Sequence, residues 1–181
     1  MARAFREVCE DQPTAVCVFV GDREGRYSEA LRGYLARTGL SSRCALLPVT
    51  ANPYLWFATG DVFALTSDVE ASPVSILEAM AFELPVVATS AFGVPELMED
   101  ARHGYLCVPN DVTDVARALD RALSASDQQR RELTFAAQER VRERHAPEPY
   151  ARGLQNLLRR LSHEPDAPPL WDVAGVAGRG L

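Results

Sequence analysis

Residues 62–89 read VFALTSDVEASPVSILEAMAFELPVVAT, and this stretch decides the fold. An apolar run (VFALT) gives way to a polar loop from Ser67 to Ser72, then to a segment opened by Pro73, and finally to a second apolar run (PVVAT). Short apolar runs without polar alternation are the pattern of strands covered on both faces, so the order is strand, helix, parallel strand. Ser72 is expected at the N-cap and Pro73 in the first turn, where its missing N–H is not needed. The amides of Val74, Ser75 and Ile76 are then expected to point out of the helix start, which attracts anions and phosphate above all.

Glu78 is the odd residue of that helix. Its neighbours Val74, Ile76, Leu77, Ala79, Met80, Ala81 and Phe82 are apolar nearly all round, as in a helix covered on most sides. An unpaired carboxylate in such a place costs several kcal/mol, so a partner must be supplied. Side chains lean toward a helix's amino end, and Glu78 is therefore expected to reach back over Val74 and Ser75 toward the loop carrying Glu70. Two carboxylates and a ring of free amides would face one space: acceptors for hydroxyls beside donors for phosphate, the chemistry of a nucleotide sugar. The competing reading is that Glu70 is a solvated loop residue and Glu78 caps a turn or pairs with an arginine.

The stretch resembles the donor-binding signature of retaining glycosyltransferases of the GT-B fold, in particular glycosyltransferase family 4. The residues that carry the likeness are Glu70, ASPVSIL, Glu78-Ala79-Met80-Ala81, FE, Leu84-Pro85-Val86-Val87-Ala88-Thr89, SAFG and Val94-Pro95-Glu96, in order and without a gap. HGYLCVPND downstream and Gly21-Asp22 upstream extend it over about residues 4–160. The resemblance implies an α/β fold, a Rossmann-like parallel sheet with helices on both faces, corresponding to the carboxyl-terminal half of a GT-B enzyme without its first strand. It implies a glycosyltransferase of hexosyltransferase type, moving a sugar from a nucleotide-diphosphate-sugar to an acceptor hydroxyl with retention. Glu70 is similar to the catalytic carboxylate that holds the donor sugar's hydroxyls, and Glu78 to the one that binds the ribose hydroxyls. Ser72, Val74, Ser75, Ile76, Val49 and Gly93 are the other implied donor-binding positions. No metal is required and no cofactor is expected beyond the donor itself; there is no Asp-x-Asp pair.

Composition agrees with a globular domain. The 181 residues suit one domain or a little more, with 47% hydrophobic and 24% charged residues. Nineteen basic against 25 acidic residues give a net charge of -6, which argues against nucleic-acid binding. No apolar run approaches a transmembrane span, and no signal peptide opens the chain. Four scattered cysteines (Cys9, Cys17, Cys44 and Cys107) form no C-x-x-C pair, so a reducing cytoplasm is the simplest home.

Around the central stretch, residues 2–11 read as a helix end and 15–21 as a buried strand. A helix over 27–38 is stopped by Gly39, a strand follows over 43–49, and a short helix over 54–59 carries Trp56 and Phe57 as core residues. The loop Pro48 to Pro53, with Val49, resembles the segment that faces the nucleotide base; the reading that its prolines merely shape a turn stands level with it. Gly93 is expected to take the positive φ of a tight turn. Further on come a strand over 104–108 and helices over 112–124, 128–144 and 149–161. Residues 1–161 are expected to form the Rossmann-like domain and 162–181 a disordered tail.

The resemblance also implies a preceding strand with an Arg and a Lys for the diphosphate, and an amino-terminal acceptor domain. Neither stands in this sequence, so the expectation is a truncated reading frame or a piece of a split gene, inactive without that domain or a partner chain supplying it. The alternative is a non-catalytic nucleotide-sugar-binding or orphan Rossmann-like domain.

Overall fold

In the computed structural model, which describes residues 1–163, helices and strands alternate from β1 to α6. They are α1 (Ala2–Asp11), β1 (Cys17–Asp22), α2 (Arg26–Arg37), β2 (Cys44–Pro48), α3 (Tyr54–Thr59), β3 (Phe63–Leu65) and α4 (Val74–Ala81). There follow β4 (Val86–Thr89), α5 (Val94–Leu97), β5 (Tyr105–Cys107), α6 (Val112–Leu123), α7 (Asp127–Arg144) and α8 (Pro147–His163). The expected tail lies outside the described residues, apart from Ser162 and His163, which continue α8.

All strand pairing is parallel, but in two sheets: β1 with β2, and β3-β4-β5 with β4 central. A doubly wound sheet is ordered 3-2-1-4-5-6. Removing its first strand leaves 3-2 and 4-5-6, which are the two groups seen here. Among the described residues no strand stands between β1 and β3. β4 is wholly buried, as a central parallel strand should be. β1 is not: Val18 and Val20 are 39% and 41% exposed, so its apolar run is covered on one face only. That departs from the expectation of cover on both faces.

Beneath the strands lies one core. Ala4, Phe5 and Val8 of α1 meet Val115, Leu119 and Ala122 of α6, with Val87, Tyr105 and Cys107 of the three-stranded sheet; Cys17, Cys44 and Ala64 border the same cluster. The α2 helix ends as its glycine suggests. Gly39 takes φ +74°, and the Leu40 amide returns to the Leu35 carbonyl at 2.8 Å, closing a Schellman turn. α4 ends in the same way without a glycine: Glu83 adopts φ +58° while Leu84 N–H reaches Ala79 O at 3.0 Å and Glu83 N–H reaches Met80 O at 3.1 Å.

The described residues divide into two compact units, Met1–Arg140 and 141–163. The sheets and every candidate site residue belong to the first. In the second, α8 carries Leu154, Leu158 and Leu161, all exposed.

Candidate functional site

In a parallel sheet the loops that follow the strands gather at one end, and here they hold one another there. After β3, the Ser67 carbonyl accepts from Thr89 Oγ1 at the end of β4. The Gly93 amide, in the loop after β4, donates to the Glu70 carbonyl at 3.1 Å. The two loops touch so closely that a Cβ on Gly93 would stand 1.6 Å from the Ala71 carbonyl oxygen. Gly93 itself has φ -78°, and the positive φ falls on Phe92 at +45°. The glycine is therefore there for close approach and not for a left-handed turn, which corrects the sequence expectation.

Glu70 is half-buried, and among the described residues its carboxylate has no ion pair or hydrogen bond. Its backbone, by contrast, is fixed by Gly93.

The start of α4 differs from the expectation in two respects. Pro73, extended at ψ 106°, is the N-cap and no side chain caps the helix; Ser72 lies one residue outside and is exposed. A proline at the cap carries no side-chain oxygen to receive an amide. The Ile76 amide donates to the Pro73 carbonyl at 3.1 Å and Ile76 is 0% exposed, so this amide is not offered to a ligand. Val74 and Ser75, the first two helical residues, keep the outward-pointing amides. Val74 is 63% exposed and Phe82 41%. The helix thus buries one face, through Ile76, Ala79 and Met80, and is not covered on most sides.

Glu78 is half-buried, and its partner is one that the sequence reading missed. The Tyr54 hydroxyl, from the first residue of α3, donates to Glu78 Oε1 at 3.3 Å. No arginine pairs with Glu78 among the described residues, and no hydrogen bond joins it to the Glu70 loop. Tyr54 belongs to an aromatic group with Phe57, Phe63 and Phe82. α3 buries none of its residues, and Trp56 is 41% exposed, so Trp56 and Phe57 do not serve as core in the way expected. Val49, just past β2, is 59% exposed. Its loop turns on Thr50, whose Oγ1 accepts from the Asn52 amide at 3.1 Å.

Other polar groups are occupied structurally. Asp22 accepts from Ser28 and Arg32, and the Ser28 hydrogen bond is the main cause holding its carboxyl below the usual range. Burial pushes the Cys17 thiol up to about 12 and the Cys107 thiol up to about 11, which keeps both protonated and unreactive at neutral pH. No group of three or more His, Cys, Asp or Glu that could hold a metal ion occurs among the described residues. No helix of the described residues is long and apolar enough to cross a membrane. Two surface hollows, of about 420 and 350 Å³, lie against α7 and against α1, and neither is lined by Glu70 or Glu78.

Comparison with known proteins gives this geometry a context. The family profile described as "Glycosyl transferases group 1" matches residues 1–140. The sulfoquinovosyl transferase SQD2 of Arabidopsis thaliana is 32% identical over 132 residues, covering 71% of this chain and 25% of its own. Among solved structures, a glycosyltransferase from Rickettsia africae superposes with a TM-score of 0.82 at 18% identity, over 90% of this chain and 43% of that one. Anabaena Alr3699/HepE, in complex with UDP, superposes at 0.79 with 25% identity, over 86% of this chain and 44% of that one. The chain thus spans under half the length of these solved relatives and matches about a quarter of the Arabidopsis protein.

Proposed function

The chain belongs to the glycosyl transferases group 1, and from that premise we propose that it is the donor-binding half of a retaining, family-4-type GT-B transferase. Its reaction is the transfer of a sugar from a nucleotide-diphosphate-sugar to an acceptor hydroxyl. The observation that carries the reading is the state of the two acids. Glu70 and Glu78 are half-buried and have no arginine partner among the described residues; Glu70 lies in the loop that leads into α4, and Glu78 on that helix's second turn.

In this proposal each group has one task. Glu78 accepts from the vicinal hydroxyls of the ribose, since an ionised carboxylate can receive both O–H donors. Glu70 accepts from the hydroxyls of the donor sugar beside the reacting carbon. The Val74 and Ser75 amides steady the diphosphate as it leaves, an electrostatic contribution of about 3 kcal/mol per well-placed donor in other enzymes. Val49 borders the base. Ser72 and Ile76 drop to supporting roles, because Ser72 lies outside the cap and the Ile76 amide is already bonded.

The acceptor wall is not part of this scheme. Transfer requires a second lobe, carried by a longer form or by a partner chain, and a further parallel strand between β1 and β3 would join the two sheets. A cytoplasmic setting belongs to the same proposal, supported by four free thiols.

Calorimetric titration with UDP, GDP and ADP tests the reading. Glu78→Gln is expected to weaken the diphosphate that binds the native chain by about tenfold, the loss of one hydrogen bond to a charged acceptor. Unchanged affinity would remove the ribose role.

A further inference from the structure

Among the described residues, the Tyr54 hydroxyl is the one polar group hydrogen-bonded to the Glu78 side chain, from an element 24 residues earlier in the chain. Its ring is fixed from two sides, stacked on Phe82 at 5.8 Å with 11° between planes and lying 6.5 Å from Phe57. Phe57 in turn stacks on Phe82 at 5.7 Å and meets Phe63 of β3 at 5.4 Å. These contacts tie the first residue of α3 to the end of α4 and to the sheet. A phenol held in this way has little freedom to aim elsewhere, and aromatic pairs of this geometry add to simple burial.

We propose that Tyr54 is a positioning residue for Glu78: its phenol holds Oε1 so that Oε2 stays open to the ribose diol. The inference rests on the proposed function and extends it by assigning what sets the acid's direction. A free glutamate samples several rotamers, and the one that meets a ligand must be selected at a cost in entropy. A donor on one oxygen selects it beforehand, which is preorganisation. The 3.3 Å separation exceeds the usual O–H···O range, as hydrogen bonds in unliganded sites often do before they tighten on binding. Tyr54 also follows directly on the loop of Val49, so the same residue links the base side of the site to the ribose side.

The test is a double-mutant cycle on the full chain with Tyr54→Phe, Glu78→Gln and the pair, which keeps the ring and its stacking while removing the hydroxyl. Whichever of UDP, GDP and ADP binds is titrated, together with its 2′-deoxy form. Tyr54→Phe is expected to weaken the ribose form about three- to tenfold and the deoxy form less, and to have no further effect in the Glu78→Gln background. A purely structural role would weaken both forms alike. Native affinity in Tyr54→Phe with weakened Glu78→Gln would overturn this inference and leave the proposed function standing. Equal, additive losses in both backgrounds would overturn it too. Native affinity in Glu78→Gln, or binding of none of the three diphosphates, would overturn both.

Discussion

Replacing Gly93 by alanine isolates the contact that sets the Glu70 loop. The backbone conformation at this position, φ -78° and ψ -7°, is one that alanine adopts freely, so the effect comes from the methyl group alone. That group would lie 1.6 Å from Ala71 O and 2.8 Å from Ala71 C, against an ordinary non-bonded separation of about 3.5 Å. The two loops must part by roughly 2 Å, which takes the Gly93–Glu70 bond from 3.1 Å out of hydrogen-bonding range. Its loss costs about 1 kcal/mol, and forced repacking adds about 1–3 kcal/mol, so Gly93→Ala is expected to lower stability by about 2–4 kcal/mol. Urea unfolding followed by circular dichroism measures this directly. Gly153→Ala is the control, since nothing lies within 4 Å of the methyl there and the helix interior favours alanine. A loss below about 0.5 kcal/mol at Gly93, the range of an ordinary surface change, would show that the loops are not locked by this approach.

Two further outcomes follow from burial and charge. Met80 is 0% exposed, and Met80→Ala is expected to cost about 2–5 kcal/mol by cavity formation, whereas an unchanged denaturation midpoint would mean that α4 does not anchor the sheet. Asp22, with Asp114 and Glu99, has its folded pKa depressed, mainly by hydrogen bonds from Ser28, from the Val108 amide and from Arg102 respectively. In acid the unfolded chain therefore binds more protons, so the stability these groups contribute is fully present above the ordinary carboxylate pKa of about 4 and is lost as pH falls through the lower folded values. Asp22→Asn is expected to flatten the acid limb of a stability–pH curve, and an acid limb identical to that of the native chain would refute the assignment.

Much of the architecture was legible because it depends on local pattern. Apolar runs of strand length, helical spacing and Gly39 as a stop are all written within a few residues of where they act, and the order of strands and helices from β1 to α6 follows from them. What was illegible depends on distant packing. The apolar residues of β1 show a strand suited to cover on both faces, yet nothing in them says whether the chain supplies that cover, and Val18 and Val20 stand open. A glycine signals either a positive φ or a close approach. At Gly93 the sequence cannot separate the two, because the decisive neighbour is the Ala71 carbonyl of another loop. Proline before Val74 was recognisable as a helix start, but whether Ser72 or Pro73 held the cap turned on one backbone angle. Tyr54 gave no signal at all, since its meeting with Glu78 is decided by how α3 lies against α4.

The two acids are consequently held by parts of unequal firmness. Glu70 sits in a loop whose backbone is bonded to Gly93 and pressed against it, beside a fully buried β4. Glu78 projects from a helix packed through Ile76, Ala79 and Met80, but the phenol that meets it belongs to α3, which buries none of its residues. A ligand that engages Glu78 nonetheless meets a carboxylate already aimed by the Tyr54 phenol, whereas at Glu70 the backbone is set but the side-chain rotamer is selected on binding, at a cost in entropy. Under the proposed function, the nucleoside end of the donor is met by a side chain aimed beforehand, and the sugar end by one that is fixed through its backbone alone.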